Sequence, residues 1–223
     1  WSEITSYFRL KSENERLASE NARLWQKITP GQLTTDTANL RVKDTLYGQQ
    51  YTFTVAKVIS NSTTLRNNYI MLNKGKRHGI VRDMAVFNSD GIVGTVVSVT
   101  DNFSWVMSIL NQHTRLSARI NRLNQMGTIV WKGGSPAIGT LLDIPAHVKI
   151  KRGDTISTSG YSHIFPEGIM AGTVEKIYVE SGDHFYTIDF RFSADLNSLQ
   201  YVYIVKNLLR DEQDELSKNV VNE

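Results

Sequence analysis

One segment of this chain occurs twice, and each occurrence is written as two strands about a glycine turn. In the first, Asp83-Met84-Ala85-Val86-Phe87 leads to Asp90-Gly91-Ile92-Val93-Gly94-Thr95-Val96. In the second, Asp154-Thr155-Ile156-Ser157 leads, after several extra residues, to Gly168-Ile169-Met170-Ala171-Gly172-Thr173-Val174. β-Branched and apolar residues on both sides of a glycine turn read as a hairpin. A chain that carries the same hairpin twice is expected to fold as two related β modules.

The surrounding sequence agrees. From Tyr51 to Val205, about twelve short β-type runs recur at intervals near ten residues. They are separated by Asn-Ser, Ser-Asp-Gly, Gly-Gly-Ser-Pro and Ser-Gly-Asp turns. The fold class that follows is mainly β: two small β-barrel domains preceded by an N-terminal α-helical coiled coil. The division expected here makes residues 47–75 plus 136–207 the first barrel, with 76–135 a second barrel nested within it. A simple serial pair is the alternative. Sheet edges left exposed by such barrels would let a strand of another chain add on.

Residues 1–30 are patterned in heptads. Ser12 to Ala18 and Ser19 to Trp25 are near copies. Leu10, Leu17 and Leu24 fall at d, and Tyr7, Asn14, Asn21 and Ile28 fall at a. Leucine at d with asparagine at a matches a parallel two-stranded coiled coil, in which paired asparagines fix register at a cost in stability. These seven residues are the expected homodimer contacts. The alternative is one amphipathic helix packed on its own barrel, since a helix of this length is marginal without a partner. Thr29-Pro30-Gly31 ends the helix. Residues 31–46 read as a linker, and 208–223 as an acidic, flexible tail or solvated helix.

Composition bears mainly on function. The 223 residues carry 25 basic and 22 acidic side chains, interspersed, for a net charge of +3. A nucleic-acid binder concentrates positive charge on one face, so no nucleic acid partner is expected. Cysteine is absent, which removes disulfides and thiolate chemistry. No apolar run reaches 18 residues, the length of a membrane span. The chain opens at Trp1 and runs straight into the helical pattern, which reads as a fragment or processed form. Trp1, Tyr7 and Phe8 suit either a membrane interface or a frayed first turn.

The search for chemistry yields little. His78, His113, His147, His163 and His184 show no His-x-x-x-His pairing, so no metal is expected. No phosphate cradle or dinucleotide fingerprint is present, and no cofactor is expected. Two barrels could belong to a chymotrypsin-like protease, but no serine stands in Gly-Asp-Ser-Gly or Gly-x-Ser-x-Gly. A glycan-binding module would use exposed aromatics. Trp105 and Trp131 are the candidates, and both sit in strand patterns that favour the core. The basic groups Lys74, Lys76, Arg77 and His78 precede one repeated strand, and Lys149, Lys151 and Arg152 the other. They read as solvated turns or as contacts for an anionic surface. The chain is expected not to be an enzyme.

The second copy is longer than the first by a loop containing Tyr161, Ile164, Phe165, Pro166 and Ile169. Such an apolar insertion either caps a barrel or presents a patch to a partner. These five residues form the candidate partner-binding loop.

Three stretches, in order, carry a resemblance to a known family. They are Asn73-Lys74-Gly75 with Gly79 and Met84-Ala85-Val86; Ser89-Asp90-Gly91-Ile92-Val93-Gly94; and Ser159-Gly160 with Ile164-Phe165-Pro166-Glu167-Gly168. With the heptads before them, covering about Tyr7 to Val205, they resemble the rod-shape-determining MreC family. Family members often have a small-residue pair where Tyr161-Ser162-His163 stands here. The resemblance implies a non-catalytic scaffold of the bacterial cell-elongation complex, one that organises peptidoglycan synthesis and maintains cell shape. It implies a place on the periplasmic side of the inner membrane, anchored by one transmembrane helix before Trp1. Implied partners are a penicillin-binding transpeptidase and the membrane protein MreD, while further copies of the chain beyond the dimer would join through the exposed sheet edges. At about 1.5 Å per residue, the helix would hold the barrels roughly 40 Å from its start.

Overall fold

In the computed structural model, which describes residues 16, 17, 19–21, 24, 51–179 and 184–221, the chain is built from strands. In order they are β1 (Tyr51–Asn61), β2 (Asn67–Leu72), β3 (Ala85–Phe87), β4 (Ile92–Val99), β5 (Ser104–Asn111) and β6 (Leu116–Ile120). Next come β7 (Gln125–Val130), β8 (Ile138–Pro145), β9 (Thr155–Thr158), β10 (Met170–Tyr178), β11 (Phe185–Phe192) and β12 (Tyr201–Asn207). A helix, α1 (Arg210–Val221), follows them.

The strands close into two six-membered barrels, ordered β1-β12-β3-β4-β5-β2 and β10-β11-β8-β7-β6-β9. Every neighbouring pair is antiparallel. Closure leaves no edge, so the strand addition anticipated from open-edged barrels has no place to occur on these two sheets.

The strands are also divided otherwise than the sequence suggested. Residues 85–111 do not nest; they complete the first barrel with β1, β2 and β12. The inserted unit is the contiguous stretch β6 to β11, and the chain returns from it to place β12 between β1 and β3. The cause is non-local. Only β12 can fill the gap that β1, β2, β3, β4 and β5 leave open, and it does so with Val55 opposite Tyr203 and Tyr203 opposite Phe87.

The duplicated hairpins are β3–β4 and β9–β10, and their equivalence is set by hydrogen bonds. Asp83 N donates to Val96 O at 2.7 Å, and Val96 N to Met84 O at 2.9 Å. In the second copy Gly153 N donates to Val174 O and Val174 N to Asp154 O, both at 2.9 Å. Asp83 therefore matches Gly153, not Asp154, a shift of one residue from the sequence alignment. The reason is backbone conformation: Asp83 at φ 61° and Gly153 at φ 92° both turn through the left-handed region just before the strand. Aspartate tolerates that region better than most residues.

Alternation puts Ile70, Leu72, Val96 and Val106 into one core and Ile120, Ile129, Leu141, Ile156 and Ile188 into the other, all at most 1% exposed. In β12 both faces are buried: Val202 and Ile204 on one, Tyr203 and Val205 on the other. The second face carries an aromatic run, with Phe53 edge-on to Phe87 at 6.1 Å and Phe87 tilted on Tyr203 at 5.2 Å.

Candidate interaction surface and the barrel junction

The lengthened loop of the second copy lies where the barrels meet. Asn88 N bonds Gly91 O in the first hairpin, and Thr158 N bonds Ile169 O in the second, so residues 89–90 are replaced by 159–168. Thr158 organises the insertion from its base. Its hydroxyl donates to Pro166 O at 2.6 Å and accepts from Ile169 N at 2.9 Å. The Ser162 hydroxyl accepts from Phe165 N at 3.2 Å.

This loop turns most of its apolar residues inward. Phe165 is 2% exposed and Ile169 4%, Pro166 is buried and Ile164 half-buried. Of the five candidate partner-binding residues, Tyr161 alone stands clear, at 74% exposure. The cap therefore prevails over the patch for Phe165, Pro166 and Ile169, because folding the ring of Phe165 inward removes a large apolar surface from water.

The loop also joins the barrels. Glu167 pairs with Arg119 of β6, while its charge bears on Tyr51 of β1. Burial first, and Glu167 second, push the Tyr51 phenol well above its ordinary value. Asn207, at the end of β12, donates from Nδ2 to His163 O at 3.0 Å. From the other side the β3–β4 turn presses Gly91 so close to Met170 O and the Ser193 side chain that a Cβ there would overlap both.

α1 occupies the same junction. Arg210 donates from Nη1 to Asp83 O at 3.0 Å and pairs through Nη2 with the Asp83 carboxylate at 3.3 Å. One turn later, Asp214 meets His163 Nδ1 at 2.8 Å and Arg210 Nε at 3.3 Å. The hydrogen bond from His163, with Arg210 nearby, holds the Asp214 carboxyl below its usual range. A cavity of about 420 Å³ opens beside these groups, lined among others by Val81, Arg82, Ile164, Lys206 and Leu208. The segment expected as an acidic flexible tail or a solvated helix is thus a helix, and one fixed at its first turns.

In the second barrel, Asp154 is held by a two-pronged ion pair. Arg122 grips it with Nε to Oδ1 and Nη2 to Oδ2, both 2.7 Å, and Lys151 N donates to Oδ2 at 2.8 Å. The Arg122 hydrogen bond outweighs burial and holds the Asp154 carboxyl below its usual range.

Of the heptad residues, Leu17, Asn21 and Leu24 fall among those described, and Tyr7, Leu10, Asn14 and Ile28 lie outside them. Leu17 is 43% and Leu24 46% exposed, so within one chain these leucines are not buried. Burial pushes the Tyr203 phenol above its ordinary value, and the side chain of Asn21 offsets part of that push.

Two aromatic surfaces escaped sequence reasoning. Trp131 is buried, with Nε1 donating to Ser135 O, but Trp105 is exposed and stands edge-on to Tyr69 at 6.3 Å on the outside of β2 and β5. Tyr178 on β10 and Phe185 on β11 are exposed, as is Val179 just after β10. The signal for Trp105 was available in the alternation of β5, where Ser104, Val106 and Ser108 face in. Among the described residues, no group of three or more His, Asp or Glu side chains is arranged to hold a metal ion.

The comparisons with known proteins converge. The family model "Rod shape-determining protein MreC, barrel core" matches residues 58–206, which fall on both barrels. The cell shape-determining protein MreC of Caulobacter vibrioides is 30% identical over 179 residues, covering 78% of this chain and 50% of the relative. The chain spans about half the length of the curated relatives it matches. A solved MreC from Listeria monocytogenes superposes with a TM-score of 0.65 at 26% identity, covering 91% of each chain. Two further structures share the fold. One is the major periplasmic domain from the cell shape-determining filament MreC, with TM-score 0.62 and 20% identity over 71% of this chain and 98% of that one. The other is MreC from Helicobacter pylori in complex with penicillin-binding protein PBP2, with TM-score 0.54 and 18% identity over 70% of this chain and 99% of that one. With two closed barrels, a duplicated hairpin and a match across both, the chain belongs to the MreC family.

Proposed function

We propose that this chain is the extracytoplasmic part of a non-catalytic scaffold that organises peptidoglycan synthesis during cell elongation and so maintains cell shape. The observation that carries the reading is the family match over residues 58–206, which falls on both barrels. Support for a penicillin-binding transpeptidase as partner comes from the Helicobacter pylori complex, whose MreC shares this fold. Support for a periplasmic setting and for self-assembly comes from the solved filament-forming periplasmic domain. MreD and a transmembrane anchor before Trp1 follow from the family resemblance.

The heptad residues act in this reading as the dimer seam, and Tyr161 with the exposed aromatics Tyr69, Trp105, Tyr178 and Phe185 as surfaces for partner contact. Side chains of this kind, exposed singly or in pairs on a rigid support, are typical anchors of protein interfaces. The test is light scattering of the chain over a range of concentrations beside a fragment beginning at Gln32, with each then presented to an immobilised penicillin-binding transpeptidase. The scaffold reading expects the longer form dimeric, the shorter monomeric, and both retained. No retention of either form would remove the proposed partner. Two monomeric forms would remove the heptad dimer.

A further inference from the structure

We infer that α1 is a clasp that holds the two barrels in one mutual orientation, and that the clasp is polar and therefore reversible. Its contacts divide between the barrels. Arg210 reaches the first barrel, at the carboxylate of Asp83 and the carbonyls of Asp83 and Arg82. Asp214 reaches the second, at His163 of the inserted loop. Between them stands Asn207, 7% exposed, which donates to His163 O and to Gln213 Oε1 at 3.0 Å each and accepts from Leu209 N at 3.0 Å. Arg210 Nε and Asp214 Oδ2 face each other at 3.3 Å as an ion pair without a hydrogen bond. One turn of helix thus spans Asp83 of one barrel and His163 of the other.

What makes the device reversible is that, among the described side chains of α1, no large apolar one is buried. Leu216, the one large apolar residue between Arg210 and Ser217, is 67% exposed. The side chains of Arg210, His163 and Asp214 are 24%, 33% and 37% exposed. Ion pairs so open to water are individually weak and are screened by salt. The hydrogen-bonded strands of each barrel, by contrast, close without any residue of α1. Undocking the helix therefore costs neither barrel its core. It removes one tie at the junction and leaves others, among them the Asn207 hydrogen bond to the His163 carbonyl and the seating of Gly91 on Met170. It also uncovers the half-lined cavity beside Val81, Ile164 and Leu208. The clasp consequently sets how surfaces on the two barrels are presented together, whatever those surfaces bind.

The chain lacks cysteine, so two introduced cysteines can be spin-labelled without background. Ser98→Cys on β4 and Lys176→Cys on β10 place one label on each barrel at exposed positions. Distance distributions are measured by pulsed electron resonance for the labelled full chain, for the same chain ending at Leu209, and for the full chain with Arg210→Gln and Asp214→Asn. The clasp predicts a narrow distribution in the parent, with a shift and broadening in both variants while the β signal in circular dichroism is retained. A distribution as narrow and as centred as the parent's in either variant overturns it.

Discussion

Gly94 and Gly172 hold the same place in the two barrels. Gly94 lies opposite Val86 and faces the Met107 carbonyl of β5, while Gly172 lies opposite Ile156 and faces the Arg191 carbonyl of β11. At each, an added Cβ would overlap the carbonyl oxygen of the next strand. The repeat thus preserves a point of backbone approach that lets three strands curve tightly enough to close a small barrel.

Gly94→Ala and Gly172→Ala are each expected to destabilise the protein by about 1–3 kcal/mol, the cost of forcing volume into a packed interior. Urea denaturation followed by circular dichroism measures the loss. Wild-type midpoints for both variants would mean that the strands move apart freely at these positions.

Phe165 and Tyr161 sit four residues apart in one loop and should behave oppositely. Phe165→Ala removes a ring that is 2% exposed and is expected to cost about 3–5 kcal/mol. Tyr161→Ala, at an exposed position, should change stability by no more than about 0.5 kcal/mol. Melting curves separate the two. If Tyr161 contacts the transpeptidase, its alanine variant should melt normally and be retained less.

Asp154→Asn is expected to lower stability by roughly 1–3 kcal/mol, because it discharges a buried acceptor of three hydrogen bonds. The folded-state carboxyl is depressed, so its contribution is fully present above the unfolded value near pH 4 and is lost as pH falls through the folded value. A urea series from pH 7 down to pH 2 should therefore show little Asp154-dependent change until the pH approaches 4. Below that, wild type and Asp154→Asn should converge. A constant gap down to the lowest pH would contradict the ion-pair assignment.

Leu17→Asp with Leu24→Asp is expected to abolish dimerisation and leave the β signal intact. Light scattering and circular dichroism read the two quantities separately. Loss of the β signal as well would show that the helix braces its own barrel, for which the influence of Asn21 on the Tyr203 phenol offers a route.

The sequence by itself determined the local features. It showed where strands and turns fall, that one hairpin is duplicated, that an apolar loop is inserted in the second copy, and which family carries that order of motifs. These depend on side-chain alternation and turn residues that act over a few positions. Tertiary structure decided which strands share a barrel, since closing the first one needs β12, which follows the whole second barrel in the chain. It decided that Asp83 matches Gly153, because the shared property is a left-handed backbone and not a side chain. It placed Trp131 inside, just past the end of β7 with Nε1 on Ser135 O, whereas the outward facing of Trp105 was already legible in the alternation of β5. It bound the acidic segment, legible only as a flexible tail or solvated helix, to both barrels, because Arg210 and Asp214 find Asp83 and His163 only once two distant hairpin ends have been brought to the same junction.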